Sequence, residues 1–279
     1  MKIHELYEKA CSVLQNSGTE NFRNEARWIF EAAFECGREY LIFNADSEAN
    51  AEKEQIFLNM IERRANGIPV QYVIGSWDFY GESFCVGEGV LIPRPETELL
   101  VDFALDYLKD TQNPIVFDLC AGSGCIGLSV AKNRPDATVV LIEKSPDAFE
   151  YLKKNIESFG CTNVRAVYGD VLGGFDSFEL PQPDLVLSNP PYIETSDIDS
   201  LQSEVHYEPV MALDGGEDGM IFYNAIAEKW LGCCSAVAVE CGEGQADSIK
   251  NLFSSIFANV YSVKDFNDID RTVIGKERK

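Results

Sequence analysis

The residues with the clearest chemical potential in this sequence are Asn189-Pro190-Pro191-Tyr192, which follow a short apolar run. Two consecutive prolines do not fit a helix interior or a central strand, because each lacks an N–H and fixes φ near about −65°. The turn therefore presents the Asn189 side-chain oxygen and the Pro190 carbonyl as two acceptors. A planar –NH2 group has two donors that match them, and the Tyr192 ring can stack on such a group. The pattern predicts a site for an amide or aromatic amine nitrogen.

A glycine-rich loop lies earlier in the chain. Gly122, Gly124 and Gly127 satisfy the G-x-G-x-x-G pattern of a turn between a strand and a helix, where positive φ and close backbone approach are needed. A dinucleotide site would place a pyrophosphate at this helix end, and the carboxylate of Asp118 beneath the loop would repel it. Asp118 instead suits a ligand that carries an ammonium group.

Two further acidic residues end the strands that follow this loop. Glu143 is placed to accept hydrogen bonds from both hydroxyls of a ribose, while Asp170 could reach an adenine amino group and Val171 could pack on the adenine ring. Together these positions predict a pocket for S-adenosylmethionine (SAM). The predicted cofactor-binding residues are Asp118, Cys120, Ala121, Gly122, Ser123, Gly124, Glu143, Asp170, Val171 and Asn189.

A methyl donor beside Asn189 gives the paired acceptors a chemical purpose. An amide or aromatic amine is a poor nucleophile because its lone pair is delocalised. Hydrogen bonds to two oxygens favour the charge that builds up on the nitrogen during attack, and positioning removes much of the entropic barrier. We therefore predict Asn189, Pro190 and Tyr192 as catalytic residues, with Pro191 completing the substrate-binding set.

The elements that must position these residues form an α/β pattern. Residues 2–66 have helical periodicity, whereas residues 70–92 contain aromatic and β-branched runs broken by glycines, which favour a hairpin. Strands and helices then alternate, which predicts a largely parallel sheet with helices on both faces and ligands at the carboxyl ends of its strands. The expected strands are 115–119, 138–142, 164–168, 184–188 and 236–240.

Composition narrows the function further. The net charge is −23, with 23 Lys and Arg against 46 Asp and Glu, so the chain repels phosphate backbones and direct binding of nucleic acid is not expected. No apolar run reaches the roughly 20 residues that span a bilayer, and no signal peptide is evident, so we expect a cytoplasmic protein without a membrane partner. The chain has two histidines and nine cysteines, and no two cysteines have the C-x-x-C spacing of a zinc site, so we expect no metal site.

These motifs resemble the class I SAM-dependent methyltransferases of amino nitrogens, and within them the HemK-type enzymes that methylate a glutamine amide of peptide chain release factors. The Pro-Arg-Pro-Glu-Thr-Glu run of residues 93–98 is the more specific signal, because Asn-Pro-Pro-Tyr is shared with adenine-specific DNA methyltransferases. The resemblance extends over nearly the whole chain through Gly67–Gly75, Val90–Glu98, Asn189–Tyr192, Glu204–Pro209, Ala212–Gly219 and Asp270–Gly275.

The resemblance implies a Rossmann-like class I methyltransferase sheet with a small N-terminal helical bundle. The expected parts are a substrate-docking domain over residues 1–70, a β-hairpin linker over 71–93 and a catalytic domain over 94–279. The implied substrate is the glutamine of the Gly-Gly-Gln loop of release factors. The family's loop usually begins with Gly and Thr where this chain has Cys120 and Ala121, and its ribose carboxylate is commonly Asp where this chain has Glu143.

Three other functions compete with this interpretation. A DNA adenine methyltransferase shares the nitrogen chemistry, but the net charge of −23 opposes the grip on phosphates that base flipping needs. A nicotinamide-dependent dehydrogenase would rest on the glycine pattern alone and leaves Asn189–Tyr192 without a role. A catalytically silent module that docks on translation factors is the third. Glu96 and Thr97 either cap a helix or contact the cofactor pocket, and Glu240–Gln245 is expected to be only a turn.

Overall fold

The computed structural model describes all of the chain, Met1–Lys279. It forms two compact units. The first contains Met1–Trp77 and the short segment Gln202–Tyr207, and the second contains Asp78–Leu201 and Glu208–Lys279. The helical unit thus takes one segment from within the range 94–279 that the sequence assigned to the catalytic domain.

The first unit is a bundle of amphipathic helices. Its core side chains recur at helical spacing, and Leu6, Phe30 and Phe57 are fully buried. The helices are α1 (Ile3–Asn16), α2 (Phe22–Phe34), α3 (Glu39–Phe43), α4 (Ala51–Ala65) and α5 (Val70–Ile74). The predicted N-terminal helical bundle is confirmed.

The helix α5 corrects the predicted hairpin, which was expected to begin at residue 70. Val70 and Val73 lie three residues apart and both enter the bundle core, which requires a helix. Gly75 ends it with a φ of 86°, a conformation that glycine adopts without strain. A five-residue β-branched run is too short for periodicity to separate strand from helix.

A buried ion pair fixes the short segment of the first unit. Arg64 on α4 contacts the carboxylates of both Glu25 and Glu204 and is only 5% exposed. The hydroxyl of Tyr207 donates to the backbone oxygen of Asn66 at 3.0 Å. These contacts hold Gln202–Tyr207 against the helices of its own unit.

A hairpin follows, with strands β1 (Ser76–Phe79) and β2 (Glu82–Cys85). Its two-residue turn, Tyr80-Gly81, has positive φ at both positions, 52° and 76°, as the common tight hairpin turns require. The predicted hairpin is therefore confirmed over residues 76–85, a shorter stretch than the sequence indicated.

The second unit contains a seven-stranded sheet in the order β5-β4-β3-β6-β7-β9-β8. The first five strands of this order are parallel, and β9 pairs antiparallel with both β7 and β8. The strands are β3 (Ile115–Leu119), β4 (Thr138–Glu143), β5 (Val164–Tyr168), β6 (Leu185–Ser188), β7 (Ala236–Glu240), β8 (Phe257–Lys264) and β9 (Asp270–Arg278). The predicted parallel strands are confirmed, and β8 and β9 were not predicted.

Helices cover both faces of this sheet because alternate strand residues point to opposite sides. Val116, Leu141 and Leu187 pack under one set of helices, while Phe117, Val140 and Val186 pack under the other. The helices are α6 (Glu98–Tyr107), α7 (Cys125–Asn133), α8 (Pro146–Phe159), α9 (Ile221–Lys229) and α10 (Ala246–Phe253). None of the helices has the length and apolar character needed to cross a bilayer.

Candidate active site

The strand order brings the sequence motifs to one edge of the sheet. The chain runs outward from β3 through β4 to β5 and then returns to form β6 on the other side of β3. Such a reversal opens a crevice at the carboxyl ends of the strands, the usual ligand site of α/β sheets. Leu119 is in register with both Ile142 and Ser188, so the glycine loop after β3 lies between the ends of β4 and β6.

A cleft opens at this point and encloses about 860 Å³, counting its mouth. It brings together most of the predicted site residues, namely Cys120, Ala121, Gly122, Ser123, Glu143, Asp170, Val171, Asn189 and Pro191. Four others do not line it, namely Asp118, Gly124, Pro190 and Tyr192. The remaining wall is largely apolar and includes Leu91, Pro93, Ile126, Met211 and Phe222.

The glycine loop has positive φ at alternate positions, with 59° at Cys120, 57° at Gly122 and 82° at Gly124. Gly124 could not be replaced without strain, because residues with a side chain rarely adopt a φ of 82°; a Cβ there would also lie 2.5 Å from Leu152 Cδ1. Cys120 adopts the left-handed conformation although it has a side chain, which costs about 1–2 kcal/mol. Cys120 therefore keeps a glycine-like backbone.

Asp118 lies behind the loop and is fully buried. Its Oδ2 accepts a hydrogen bond from the Gly127 N–H at 2.9 Å, whereas its Oδ1 has no partner. Desolvation raises the pKa of Asp118 to about 7, with a smaller contribution from the charge of Glu143. Asp118 thus braces α7 against β3 and does not line the cleft, so its predicted direct contact with the cofactor is corrected to a support of the loop from behind.

Glu143 ends β4 and faces the cleft. Its Oε2 accepts from the Gly122 N–H at 2.8 Å, and its Oε1 accepts from the Ser145 N–H at 2.6 Å. Burial raises the pKa of Glu143, and these backbone hydrogen bonds oppose that shift. Each carboxylate oxygen retains a second lone pair, so the pair of oxygens can still accept from two neighbouring hydroxyls.

Asp170 and Val171 border the cleft beyond β5. Asp170 caps the following turn by accepting from Leu172 N–H at 2.9 Å, and its other oxygen pairs with Lys144 at 2.8 Å. Burial disfavours the charge of Asp170, but the Lys144 and Leu172 hydrogen bonds hold its pKa below the usual range. Val171 is 3% exposed and presents an apolar surface to the cleft.

Asn189 leaves the end of β6 and lines the cleft. Its Nδ2 donates to the Thr97 hydroxyl at 3.2 Å, and its Oδ1 makes no hydrogen bond within the protein. The Thr97 side chain does not cap a helix, because its hydroxyl donates to the buried carboxylate of Glu240. Of the two roles open to Thr97 from the sequence, the structure therefore shows the contact with the cleft.

Tyr192 is held away from the cleft. Its ring packs against the core beneath α9 and α10, and its hydroxyl donates to Glu240 Oε1 at 3.3 Å. Burial and the charge of Glu240 raise the pKa of Tyr192 well above its usual range. The stacking of Tyr192 on a substrate remains a prediction, and its observed contacts fix the turn.

The backbone of the Asn189–Tyr192 turn is clamped by later segments. Gln245 Nε2 donates to the Tyr192 carbonyl at 2.8 Å, and Ile193 exchanges hydrogen bonds with Leu213 and Gly215. A Cβ on Gly219 would lie 2.4 Å from the Tyr192 oxygen. The sequence missed Gln245, whose segment it assigned to a simple turn, and it missed Glu240.

A second clamp supports the apolar wall. Glu208 is buried, contacts Arg94 through its carboxylate, and accepts from the Ile92 N–H at 3.0 Å. This carboxylate joins the Leu91–Pro95 segment to the start of the Glu208–Ala212 segment. Both segments contribute residues to the cleft.

Comparison with known proteins connects this chain with one family. A release factor glutamine methyltransferase from Geobacter sulfurreducens is 39% identical over 98% of this chain and 96% of its own length. The chain belongs to the release factor glutamine methyltransferase family. The enzyme of that name from Thermodesulfovibrio yellowstonii is 40% identical over 85% of this chain and 87% of its own length. That from Clostridium acetobutylicum is 35% identical over 98% of both chains.

Family models match two parts of the chain, and solved structures share its fold. A model described as PrmC N-terminal domain matches residues 5–75, and one described as conserved hypothetical protein 95 matches residues 94–232. The hMettl16 catalytic domain has a TM-score of 0.58 at 14% identity, covering 80% of this chain and 81% of that one. A Pyrococcus furiosus methyltransferase has a TM-score of 0.51 at 18% identity, covering 78% and 97%. These two likenesses support the class I methyltransferase fold of the family.

Proposed function

We propose that this protein transfers the methyl group of SAM to the side-chain amide nitrogen of the glutamine in the Gly-Gly-Gln loop of peptide chain release factors. The supporting observation is the Asn189 amide, whose nitrogen is bound by Thr97 and whose oxygen makes no hydrogen bond within the protein. It lines the same cleft as the loop at Cys120–Ser123. A free acceptor beside a cofactor loop suits a substrate that donates N–H bonds.

The residues around the cleft fit SAM, which supplies a methyl group on a positively charged sulfur. Cys120–Gly124 would hold the methionine part, with Asp118 supporting the loop from behind. Glu143 would bind the ribose hydroxyls with the lone pairs that its backbone partners leave open. Val171 would pack on the adenine, and Asp170 would accept from the adenine amino group while it stays paired with Lys144.

The protein's part in the reaction is to grip and orient the glutamine. The Asn189 oxygen and the Pro190 carbonyl would each accept one N–H of the amide, which leaves the face of its nitrogen toward the methyl group. In such a transfer the N–C bond would form as the S–C bond of SAM breaks, and the surplus proton would leave the nitrogen for solvent. Electrostatic stabilisation by two fixed oxygens favours the nitrogen as positive charge develops on it.

The helical residues 1–70 would dock the release factor, residues 71–93 would link them to the catalytic part, and residues 94–279 would carry the chemistry. The match of residues 5–75 to the N-terminal family domain supports a dedicated role for the bundle. The reaction would take place in the cytoplasm, where release factors act. The net charge of −23 argues against a nucleic-acid partner.

Incubation with methyl-labelled SAM and either a release factor or duplex DNA tests the proposal. We expect label on the release factor alone, located by mass spectrometry on the loop glutamine as one added methyl group. Label that enters only the DNA would establish the adenine methyltransferase alternative instead.

A further inference from the structure

Glu240 lies at the carboxyl end of β7 behind the cleft. Its residue is 2% exposed, and it does not line the cleft. Ser188 on β6 is in register with Val239 on β7, so the next residues along the chain, Asn189 after β6 and Glu240 as the last residue of β7, lie side by side at the carboxyl edge of the sheet. A buried carboxylate needs hydrogen-bond donors, and these donors are the groups whose positions it fixes.

Both side-chain donors to the Glu240 carboxylate belong to the two motifs found in the sequence. The Thr97 hydroxyl donates to Oε2, and the Tyr192 hydroxyl donates to Oε1 at 3.3 Å. The first donor belongs to the Pro-Arg-Pro-Glu-Thr-Glu run, and the second ends the Asn-Pro-Pro-Tyr turn. One carboxylate therefore connects the two motifs.

A count of protons then fixes the direction of the Asn189 amide. The Thr97 hydroxyl carries a single hydrogen, and it is committed to Glu240. Toward Asn189, at 3.2 Å, its oxygen can only accept, so Asn189 must present its NH2 group there. The Asn189 oxygen is left on the opposite side. If the Thr97 hydrogen were free, it could donate to that oxygen, and the amide could rotate to present N–H groups to the cleft.

We propose that Glu240 and Thr97 are positioning residues that orient the Asn189 amide so that its oxygen, and not its nitrogen, meets the substrate amide. The inference rests on the proposed function, in which Asn189 accepts from the glutamine nitrogen. Glu240 acts only through its neighbours. If the Asn189 amide were rotated by about 180°, its NH2 group would face the NH2 group of the glutamine, and the hydrogen bond expected in the transition state could not form.

The test is a kinetic comparison of Thr97→Val with Thr97→Ser, using methyl transfer to a release factor. Thr97→Val keeps the shape of the side chain and removes the hydroxyl. We expect its kcat to fall about 30-fold, with KM for SAM and for the factor within about threefold of wild type, because a transition-state interaction is lost. Thr97→Ser restores the hydroxyl, and its kcat should stay within about fivefold of wild type.

Thr272→Val is the matched control. Thr272 on β9 is 1% exposed and lies opposite Glu240 in the strand register, yet its hydroxyl has no hydrogen-bond partner. Its kinetics should equal those of wild type. Glu240→Gln provides a second test, because it keeps the size of the side chain but leaves one acceptor oxygen for the Thr97 and Tyr192 hydroxyls, so kcat should fall by less than in Thr97→Val.

Wild-type kcat in Thr97→Val would overturn the inference, and so would a Thr97→Ser variant as slow as Thr97→Val. These outcomes leave the proposed function intact, because the wild-type protein still methylates the factor in the same assay. A wild-type protein that binds SAM but transfers no methyl group to the factor would overturn the proposed function and this inference together.

Discussion

Replacing Asn189 by alanine should separate methyl transfer from substrate binding. The variant removes the oxygen that is expected to accept an N–H of the glutamine, while the Pro190 carbonyl remains. Loss of one preorganised hydrogen-bond partner in a transition state costs about 10²–10³ in kcat, which corresponds to about 2.7–4 kcal/mol. We expect kcat to fall by this factor and KM for the release factor to change by less than about threefold, because docking uses other surfaces.

The same variant should fold. Within the protein, the Asn189 side chain makes one hydrogen bond, 3.2 Å long, to Thr97. A neutral hydrogen bond contributes about 1 kcal/mol to the free energy of unfolding, so the loss of stability should be of that order. Single-turnover transfer of labelled methyl gives the rate, and calorimetry gives SAM affinity. Asn224→Ala, on the exposed side of α9, is the control and should match wild type. A wild-type rate in Asn189→Ala would refute the catalytic role of Asn189.

Four further predictions concern the loops and the buried carboxylate. Gly219 has a φ of 67°, and a Cβ on it would lie 2.4 Å from the backbone oxygen of Tyr192. Gly219→Ala should therefore displace the Asn189–Tyr192 turn and lower kcat at least about tenfold, and a wild-type kcat would contradict the clamp. Cys120→Gly should raise the free energy of unfolding by up to about 1 kcal/mol, because it relieves a φ of 59°; a loss of stability in denaturant titration would contradict this. Desolvation raises the pKa of Glu240 to about 7. We therefore expect kcat to fall as the pH is lowered through about 7, because the Glu240 carboxylate becomes protonated. The Glu240→Gln variant should lack this pH-dependent fall in kcat. The raised pKa of Glu240 also makes the free energy of unfolding depend on pH. Its stabilising contribution is fully present below the ordinary pKa of 4.5 and is lost as the pH rises through about 7. Thermal unfolding of wild type and Glu240→Gln across this pH range measures the contribution. The titratable and charged groups that face Glu240 are Glu96, Cys125, Tyr192, Tyr223, Cys241 and Arg271.

The parallel strands could be predicted because their residues are buried on both faces and therefore form short apolar runs. Ile115–Leu119 and Ala236–Glu240 have the bounds expected from such runs. The strand β8 has a mixed pattern of partly exposed residues, Phe257–Lys264, and it pairs only with β9. An antiparallel edge strand of this kind lacks the continuous apolar signal that marks a buried parallel strand.

The cleft residues that follow directly after a strand could be predicted from the sequence. Glu143 and Asn189 follow apolar runs directly, and parallel strands place such residues at one edge. The same reasoning applied to Ala236–Glu240 would have drawn attention to Glu240. Its partners could not be predicted, because Thr97 and Tyr192 are 143 and 48 residues away in sequence and meet Glu240 only in the folded sheet.

That Asp118 does not line the cleft could not be predicted from the sequence either. A strand-end carboxylate in an open crevice and one enclosed behind its loop have the same local sequence. The difference comes from Gly127, whose N–H binds Asp118 and whose missing Cβ allows α7 to approach, since a Cβ there would lie 3.0 Å from Asp118 Oδ2. Packing between α7 and β3 decides this contact.

The most direct test of the account is a crystal structure of the protein with S-adenosylhomocysteine and a Gly-Gly-Gln peptide. The account predicts that the glutamine nitrogen lies within hydrogen-bond distance of both Asn189 Oδ1 and the Pro190 carbonyl, on the side of the cofactor sulfur. A peptide glutamine bound elsewhere, or an Asn189 oxygen turned toward Thr97 with the cofactor in place, would contradict it.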